Sequence, residues 1–242
     1  MQEVSELYNQ ITAKTNHWFE TILVIGELGN QSISDAGYGE SHLFSIRTSH
    51  RVFNQDYPTV GSAISGEIDI EMIDPGITIP KRGKLRPYVR ATDGTQVSEW
   101  IPKGVYYVDT REVTRNSDGL DVLRIHGYDD ILKLEVDYPS DSQHDYPMTD
   151  IDMVEFLADG IGVELDERTE DAMNKGYQFP VMTGYSSREV LGIIAASYGG
   201  NFIMSDEGKL LLITLGSLPK DTNFLIDEIG NRILIGEDRI VL

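Results

Sequence analysis

The chain has 242 residues, no cysteine, and 40 acidic residues against 20 lysines and arginines, so its formal net charge is −20. This charge argues against binding of nucleic acid or of an anionic membrane surface, because both need a positive face, and without cysteine there are no disulfides or thiolate metal sites. With 40% hydrophobic residues the chain can form a core as one large or two small domains, and without a signal peptide or an apolar run of ~18 residues we expect it to fold in the cytosol.

The first sixty residues predict only short elements. Residues 5–15 suit a short helix, and the apolar run at 19–25 is typical of a strand. The stretch 26–39 is rich in Gly, Asn, Ser and Asp and predicts a long loop. Residues 43–48 predict another short strand.

The clearest pattern in the chain is a strict alternation of acidic and apolar residues over positions 67–72. Successive side chains of a strand point to opposite faces. Two sets of three therefore face apart: Ile68, Ile70 and Met72 on one side, and Glu67, Asp69 and Glu71 on the other. Three carboxylates about 7 Å apart repel one another unless their face is wet. We therefore predict a strand over 65–73 with one face on a core and an acidic face in water.

Strand patterns then recur between turn sequences. The predicted strands cover residues 84–92, 96–101, 104–113 and 120–128. Asp93-Gly94 and the run 116–119 are turn sequences. Pro87 has no N–H to donate to a ladder, so it predicts an edge position. Many short strands at regular spacing predict an antiparallel sandwich or barrel.

The second half of the chain has a different character. One or two helical turns at 129–137 lead into a linker-like run at 137–142. Thr149 precedes a helix with periodic apolar residues, and Ser186 with Glu189 forms a capping box for another helix. Residues 201–215 then predict a hairpin with its turn at 206–208.

These elements predict an α+β fold that is mainly β. An antiparallel β-barrel or sandwich over residues 1–137 is followed by a small α/β domain of helix, helix and hairpin over 138–215. Residues 216–242 alternate loosely and end on an apolar tripeptide, so they predict the start or the closing strands of a further β-barrel.

Residues typical of catalysis or metal binding form no recognised motif. No two of the five histidines lie within four residues of each other, so the local spacing of a metal site is missing. His126 lies in a predicted strand and is interpreted as a hydrogen-bonded structural residue. Gly61–Gly66 has the wrong spacing for a nucleophile elbow, and residues 116–121 and 206–208 lack the spaced ligands of a calcium hand. The sequence therefore predicts no enzyme and no catalytic, cofactor-binding or metal-binding residues.

Exposed aromatic residues are the remaining candidates for a binding site. Trp18, Trp100, Tyr106 and Tyr107 could form a carbohydrate platform. At strand positions such residues are more often core or subunit-contact residues, and both interpretations stay open here.

Three segments resemble tail proteins of phages and prophages of Gram-positive bacteria. They are residues 98–110 (SEWIPKGVYYVDT), 124–133 (RIHGYDDILK), and 187–195 (SREVLGIIA) continuing into 200–210 (GNFIMSDEGKL). The resemblance is to the baseplate hub of contractile tails and to the spike-base of type VI secretion. These motifs are structural, so they indicate a family and no reaction.

The resemblance implies a tail-tube-like β-barrel with an α/β domain beside it, in a homotrimer that caps the tail tube. It also implies contacts with other tail proteins of the tube, distal tail and tip, a location in the virion tail, and synthesis in the host bacterial cytoplasm. Longer relatives carry a peptidoglycan-cleaving or host-binding module after the hub, and that activity is not carried over to this chain.

Charge and resemblance together suggest a role for the acidic stripe. DNA carries one charge per ~1.7 Å of axis, so an acidic channel wall would let it slide without specific binding. We hypothesise that Glu67, Asp69 and Glu71 line the DNA exit channel of the hub; an ordinary solvated outer face is the alternative. The alternative functions are a host-surface or carbohydrate-binding tail module and, third, a cell-wall hydrolase. No membrane binding is expected.

Overall fold

The computed structural model describes residues 4–116, 119–139 and 145–217, together with the strands Phe224–Ile226 and Arg232–Leu234. Residues 140–142 of the predicted linker, His144 and most of the predicted strands after residue 216 therefore lie outside the described residues, whereas residues 137–139 of that linker are described and Tyr138 is buried. In that last region only the antiparallel pairing of the two short strands is described.

The described residues contain five α-helices and two 3₁₀ helices. The α-helices are α1 (Glu6–Thr12), α2 (Ile33–Ala36), α3 (Asp150–Ile161), α4 (Glu167–Ala172) and α5 (Ser187–Ser197). The 3₁₀ helices are Asp130–Leu134 and Leu215–Ser217. No helix of the described chain is long and apolar enough to span a bilayer.

The longest strands of the described residues belong to one large sheet. In chain order they are β1 (Trp18–Ile25), β2 (Gly37–Tyr38), β3 (Leu43–Ser49), β4 (Ser62–Ala63), β5 (Glu67–Ile73), β6 (Lys84–Thr92), β7 (Ile101–Pro102), β8 (Tyr106–Arg115), β9 (Asp121–Tyr128), β10 (Met148–Thr149), β11 (Gln178–Phe179), β12 (Gly200–Met204), β13 (Leu210–Thr214), β14 (Phe224–Ile226) and β15 (Arg232–Leu234). The α+β, mainly β class is confirmed.

Eight strands form one sheet in the order β2-β1-β6-β8-β9-β5-β3, with β7 beside β6. The two end strands are not paired with each other among the described residues, so the sheet is open and the predicted closed barrel is not seen. The reason is local: β2 is only two residues long, and β3 pairs with β5 alone.

Pro87 lies inside the sheet, so the predicted edge position is wrong. It is opposite Leu23 of β1, and its carbonyl accepts the Lys103 N–H at 2.9 Å. The N and O of one strand residue point the same way. The Pro87 nitrogen therefore faces the gap between the residues of β6 that pair with β8 and those that pair with β7. No strand hydrogen bond needs a donor at that point, so the missing N–H of proline breaks none.

The alternating stretch is β5, and its predicted alternation is confirmed. Ile68, Ile70 and Met72 are buried in one cluster with side chains of β8 and β9. Full burial of each such side chain contributes about 1.5–3 kcal/mol. A slip of one residue would exchange the two faces of the strand, so the apolar half of the pattern fixes the register of β5 between β3 and β9.

A second hydrophobic cluster lies between α3, α5 and the β12–β13 hairpin. Val190, Leu191 and Ile194 of α5 are completely buried in it. The short strand β4 joins this unit as a parallel neighbour of β12. Residues from the predicted first domain thus complete the sheet of the second unit, and the predicted division at residue 137 stays a prediction.

Both predicted helix starts are confirmed. The Ser186 hydroxyl accepts the Glu189 N–H, and the Glu189 carboxylate accepts the Ser186 N–H at 2.7 Å. At α3 the Thr149 hydroxyl accepts the Asp152 N–H at 3.2 Å. Helix α4 was not predicted because its six residues, ERTEDA, bury only Thr169 and so show no apolar period.

The Asp129 carboxylate fixes the short segment between β4 and β5, here called the crossing. It joins the first unit, built on the large sheet, to the second unit, built from α3, α5, β4 and the β12–β13 hairpin. Ser65 and Gly66 connect β4 to β5, and the Asp129 carboxylate accepts the Gly66 N–H at 2.5 Å and the Ser65 hydroxyl at 2.8 Å. It also accepts the Ile131 N–H at 3.1 Å. Burial raises the pKa of Asp129 to about 6, although these three hydrogen bonds favour the charged form.

We expect Gly192→Ala to destabilise the protein and Gly160→Ala to stabilise it. A Cβ at Gly192 of α5 would lie 2.6 Å from the Gly61 carbonyl oxygen, so backbone would have to move, at about 1–3 kcal/mol. A Cβ at Gly160 of α3 meets nothing within 4 Å, and alanine favours a helix over glycine by up to about 1 kcal/mol. Urea unfolding followed by circular dichroism measures both. A gain in midpoint for both variants would contradict the packing of α5 on Gly61.

Asp129→Asn should remove one component of the pH dependence of stability. The pKa of Asp129 is about 6 in the folded chain against a reference of 3.8. Its contribution, on the order of 3 kcal/mol, is therefore fully present below pH 3.8 and is lost as pH rises through 6. The wild-type free energy of unfolding, minus that of the variant, should fall between about pH 4 and pH 6.5 in urea titrations. Asp109→Asn, at an exposed carboxyl, is the control; a pH-independent difference for Asp129→Asn would sink this prediction.

Candidate functional site

The outer face of β3, β5, β9 and β8 carries the three acidic residues that the sequence singles out. The strand register places Asp69 between Arg47 on β3 and His126 on β9. It places Glu71 beside Arg124 on β9. The three acids therefore form one column along β5, and each neighbouring strand places basic side chains beside that column.

Two of the three carboxylates are paired across the strands. His126 Nδ1 lies 2.8 Å from Asp69 Oδ1, so His126 makes the structural hydrogen bond that its strand position predicted. Arg124 donates from Nε at 3.2 Å and from Nη2 at 2.9 Å to one oxygen of Glu71. Glu67, at the end of the column, makes no ion pair with any described residue.

An open groove of about 640 Å³ runs along this face. Its charged lining is mixed: Asp69, Glu71 and Glu112 lie with Arg47, Arg111, Arg124 and His126. Cross-strand bases, and not water alone, relieve the repulsion between the acids. The three acids thus share their face with bases from neighbouring strands, which the alternation over 67–72 alone does not predict. Arg124 and His126, two positions apart on one predicted strand face, were the signal that was missed.

The arrangement can hold a charged partner by complementary ion pairs. The groups with raised pKa lie elsewhere: burial raises the pKa of Asp129 to about 6, and burial, then Asp152, raises the pKa of Glu155 on α3. Burial, then Asp129, also raises the pKa of Tyr106, whose hydroxyl donates to the Lys103 carbonyl at 3.1 Å and contacts His50. Within the described residues no three His, Asp or Glu side chains converge as a metal site.

The aromatic residues considered for carbohydrate binding do not share one environment. Tyr106 is fully buried and belongs to the core. The Arg90 guanidinium stacks on Trp100 at 4.3 Å from the ring centroid, and Trp18 is half-exposed. Among these residues, Trp18 therefore offers the most open ring.

A second concavity, here called the apolar groove, lies beside the 3₁₀ helix that follows β9. Its volume is about 540 Å³. Its lining residues are Arg82, Tyr107, Val108, Asp109, Tyr128, Asp129, Leu132, Lys133, Glu135 and Val136. The sequence does not reveal this site. Leu132 and Val136 lie in the stretch predicted as one or two helical turns, and no periodicity shows that they face solvent.

Two features set the apolar groove apart from an ordinary surface. Arg82 has φ 59°, and it is the one non-glycine residue of the described chain in the left-handed region; such strain concentrates at functional sites. The Lys133 ammonium lies 4.1 Å from the centroid of the Tyr107 ring and also pairs with Asp130. A cation and an aromatic ring are therefore fixed side by side in the groove.

No protein-family model matches the chain, and no curated protein matches it. Solved structures do share its fold. The 43 kDa tail protein of prophage MuSo2 from Shewanella oneidensis matches 81% of the chain, with 17% identity and a TM-score of 0.52. The tail protein from Neisseria meningitidis MC58 matches 83% of the chain, with 16% identity and a TM-score of 0.51.

The match covers 56% and 52% of those two proteins, so the chain spans about half the length of each. At such low sequence identity the likeness is one of fold. About four-fifths of this chain thus shares its fold with about half of each of two tail proteins, one of them from a prophage.

Proposed function

We propose that this chain is a structural component of a phage or prophage tail, and that it forms the hub at the end of the tail tube. The fold shared with two tail proteins over about four-fifths of the chain carries this proposal. The resemblance of residues 98–110, 124–133 and 187–210 to tail proteins supports it independently, and the Gram-positive host belongs to the same proposal.

In the proposed hub the chain assembles as a homotrimer and contacts other tail proteins. Among the described residues β3 pairs with β5 alone, and this supports the proposal, since an unpaired strand edge is a template for pairing unless something covers it. The tube-like barrel would then be completed between copies and not within one chain.

The face that carries Glu67, Asp69 and Glu71 is proposed to line the DNA channel. Its groove contains three acidic side chains and three arginines, and its one histidine, His126, is hydrogen-bonded to Asp69, so carboxylates balance the arginines that could hold phosphates. The formal charge of −20 adds a repulsive background around it. DNA would pass without specific binding.

The chain is proposed to act by assembly and not by catalysis. Binding of a host-surface glycan is the second candidate, because the Trp18 ring at the start of β1 is half-exposed. Calorimetric titration with host wall polysaccharide tests that alternative, and a zymogram tests the third, a cell-wall hydrolase.

An antibody against this chain should label one end of the tail in particles induced from the source bacterium. Mass spectrometry of the same purified particles should detect the chain at a few copies per particle, because a hub caps the tube once. Light scattering after gel filtration should give a trimer for the purified chain. Absence of the chain from particles that retain their tails would overturn the proposal.

Changing Glu67, Asp69 and Glu71 together to lysine should slow DNA release from otherwise intact particles several-fold at low salt, because lysines on a channel wall bind phosphates. The effect should be smaller at high salt, because salt screens that attraction. Release is followed by dye fluorescence after a receptor trigger. The matched control reverses Asp159, Glu170 and Asp171, which are exposed on the second unit. Equal rates for both variants would place the β5 face outside the channel.

A further inference from the structure

The described surface carries two unusually exposed apolar side chains in different settings. Tyr57 is 61% exposed and Val136 is 57% exposed, the two highest values among its large hydrophobic residues. Tyr57 lies on a loop that projects from the chain, and Val136 lines the apolar groove. The exposed Tyr57 side chain is here called the knob, and the apolar groove that Val136 borders is called the hole.

The loop that carries Tyr57 is held at its base by one buried side chain. The Asn201 Nδ2 donates to the carbonyls of Val52 at 2.9 Å and Thr59 at 2.6 Å, and its Oδ1 accepts the Ser62 N–H at 2.9 Å. A single amide thus joins the two ends of an eight-residue loop, in the manner of a compact Ω-loop. A loop with a fixed base loses less conformational entropy when its tip is bound.

The apolar groove suits such a tip. Its volume of about 540 Å³ is in the range of sites that take a small aromatic group. The exposed side chains of Leu132 and Val136 offer apolar contact, and the strained Arg82 stands at its rim. Tyrosine suits a pocket of this kind because its ring is apolar and its hydroxyl can stay at a polar edge.

Charge favours the same pairing. Asp56, next to Tyr57, is exposed and makes no ion pair with a described residue; the same is true of Arg82. The groove also carries Asp109, Asp129 and Glu135, of which Glu135 pairs with Arg188 and Asp129 is buried. Arg82 at the rim is thus the position in the groove where Asp56 meets an opposite charge that has no ion pair with a described residue.

We propose that the loop at residues 52–59 of one copy inserts Tyr57 into the apolar groove of a second copy, with Asp56 against Arg82. This contact rests on the self-assembly of the proposed function and gives it a specific interface. Knob and hole are different patches of one chain, so the contact is heterologous and generates a ring if the rotation between copies closes.

Because the chain has no cysteine, crosslinking tests the contact directly. A Tyr57→Cys preparation is mixed with a Val136→Cys preparation and treated with a short bismaleimide. The mixed sample should give covalent dimer well above either preparation alone. The control pairs Tyr185→Cys with Val136→Cys, since Tyr185 is also exposed, at 46%. A dimer yield no higher than that of the control overturns the contact.

A charge swap separates a specific contact from general stickiness. Asp56→Arg or Arg82→Asp alone should lower the crosslinking yield of the mixed pair about tenfold, and a chain carrying both should recover it. Failure of the double variant to recover the yield contradicts the pairing of these two residues.

The two proposals fail in different ways. If light scattering gives a trimer but the mixed pair is not enriched, the loop contact is wrong and self-assembly stands. If Tyr57→Ala leaves the trimer unchanged while preventing capture of another tail protein, the occupant of the groove is not a second copy and the inference is overturned. The labelling of particle tails does not depend on either result.

Discussion

The hydrogen bonds from Ser65 and Gly66 to the buried Asp129 carboxylate are the constraint on which both units depend. The chain leaves β4, in the sheet of the second unit, and enters β5, in the large sheet, within three residues. Any rotation of that short crossing would move two cores at once. A carboxylate with its pKa raised by burial fits this position because its two oxygens accept three hydrogen bonds, from the Ser65 hydroxyl and from the N–H groups of Gly66 and Ile131.

Other contacts brace the same crossing from the side of the second unit. The Arg188 guanidinium donates to the Ala63 carbonyl at 2.7 Å, and Lys103 pairs with Asp206 at 3.2 Å. The Gly104 N–H adds a backbone hydrogen bond to the Asp206 carbonyl at 2.9 Å. Residues 98–110 and 200–210 of the resembling segments supply both sides of the contacts at Asp206, and residues 187–195 supply the Arg188 side of the contact to Ala63. Their residue types therefore follow from packing and hydrogen bonding, and need no catalytic explanation.

Periodicity predicted the elements that bury a regular face. The alternation at 67–72 and the capping box at Ser186 each gave the correct element, because burial and capping leave a local trace in the sequence. The closed barrel, the edge position of Pro87 and the strand at 96–101, which is reduced to Ile101–Pro102 and a bridge at Val97, depend on which strand lies next to which. That information is not local. The bases opposite Asp69 and Glu71 were missed for the same reason, and the apolar groove joins residues of the β5–β6 loop, of β8 and β9, and of a 3₁₀ helix that no pattern connects.

Assembly of so acidic a chain requires contacts that do not depend on net charge. Two copies carrying −20 each repel at long range, and salt reduces that repulsion over a Debye length of about 8–10 Å. Apolar side chains such as Tyr57 and Val136 attract only at contact and are strengthened by water exclusion at any ionic strength. Self-association driven in this way grows stronger as salt is added, whereas binding to DNA through bases grows weaker. The sign of the salt dependence therefore separates a chain that surrounds DNA from one that holds it.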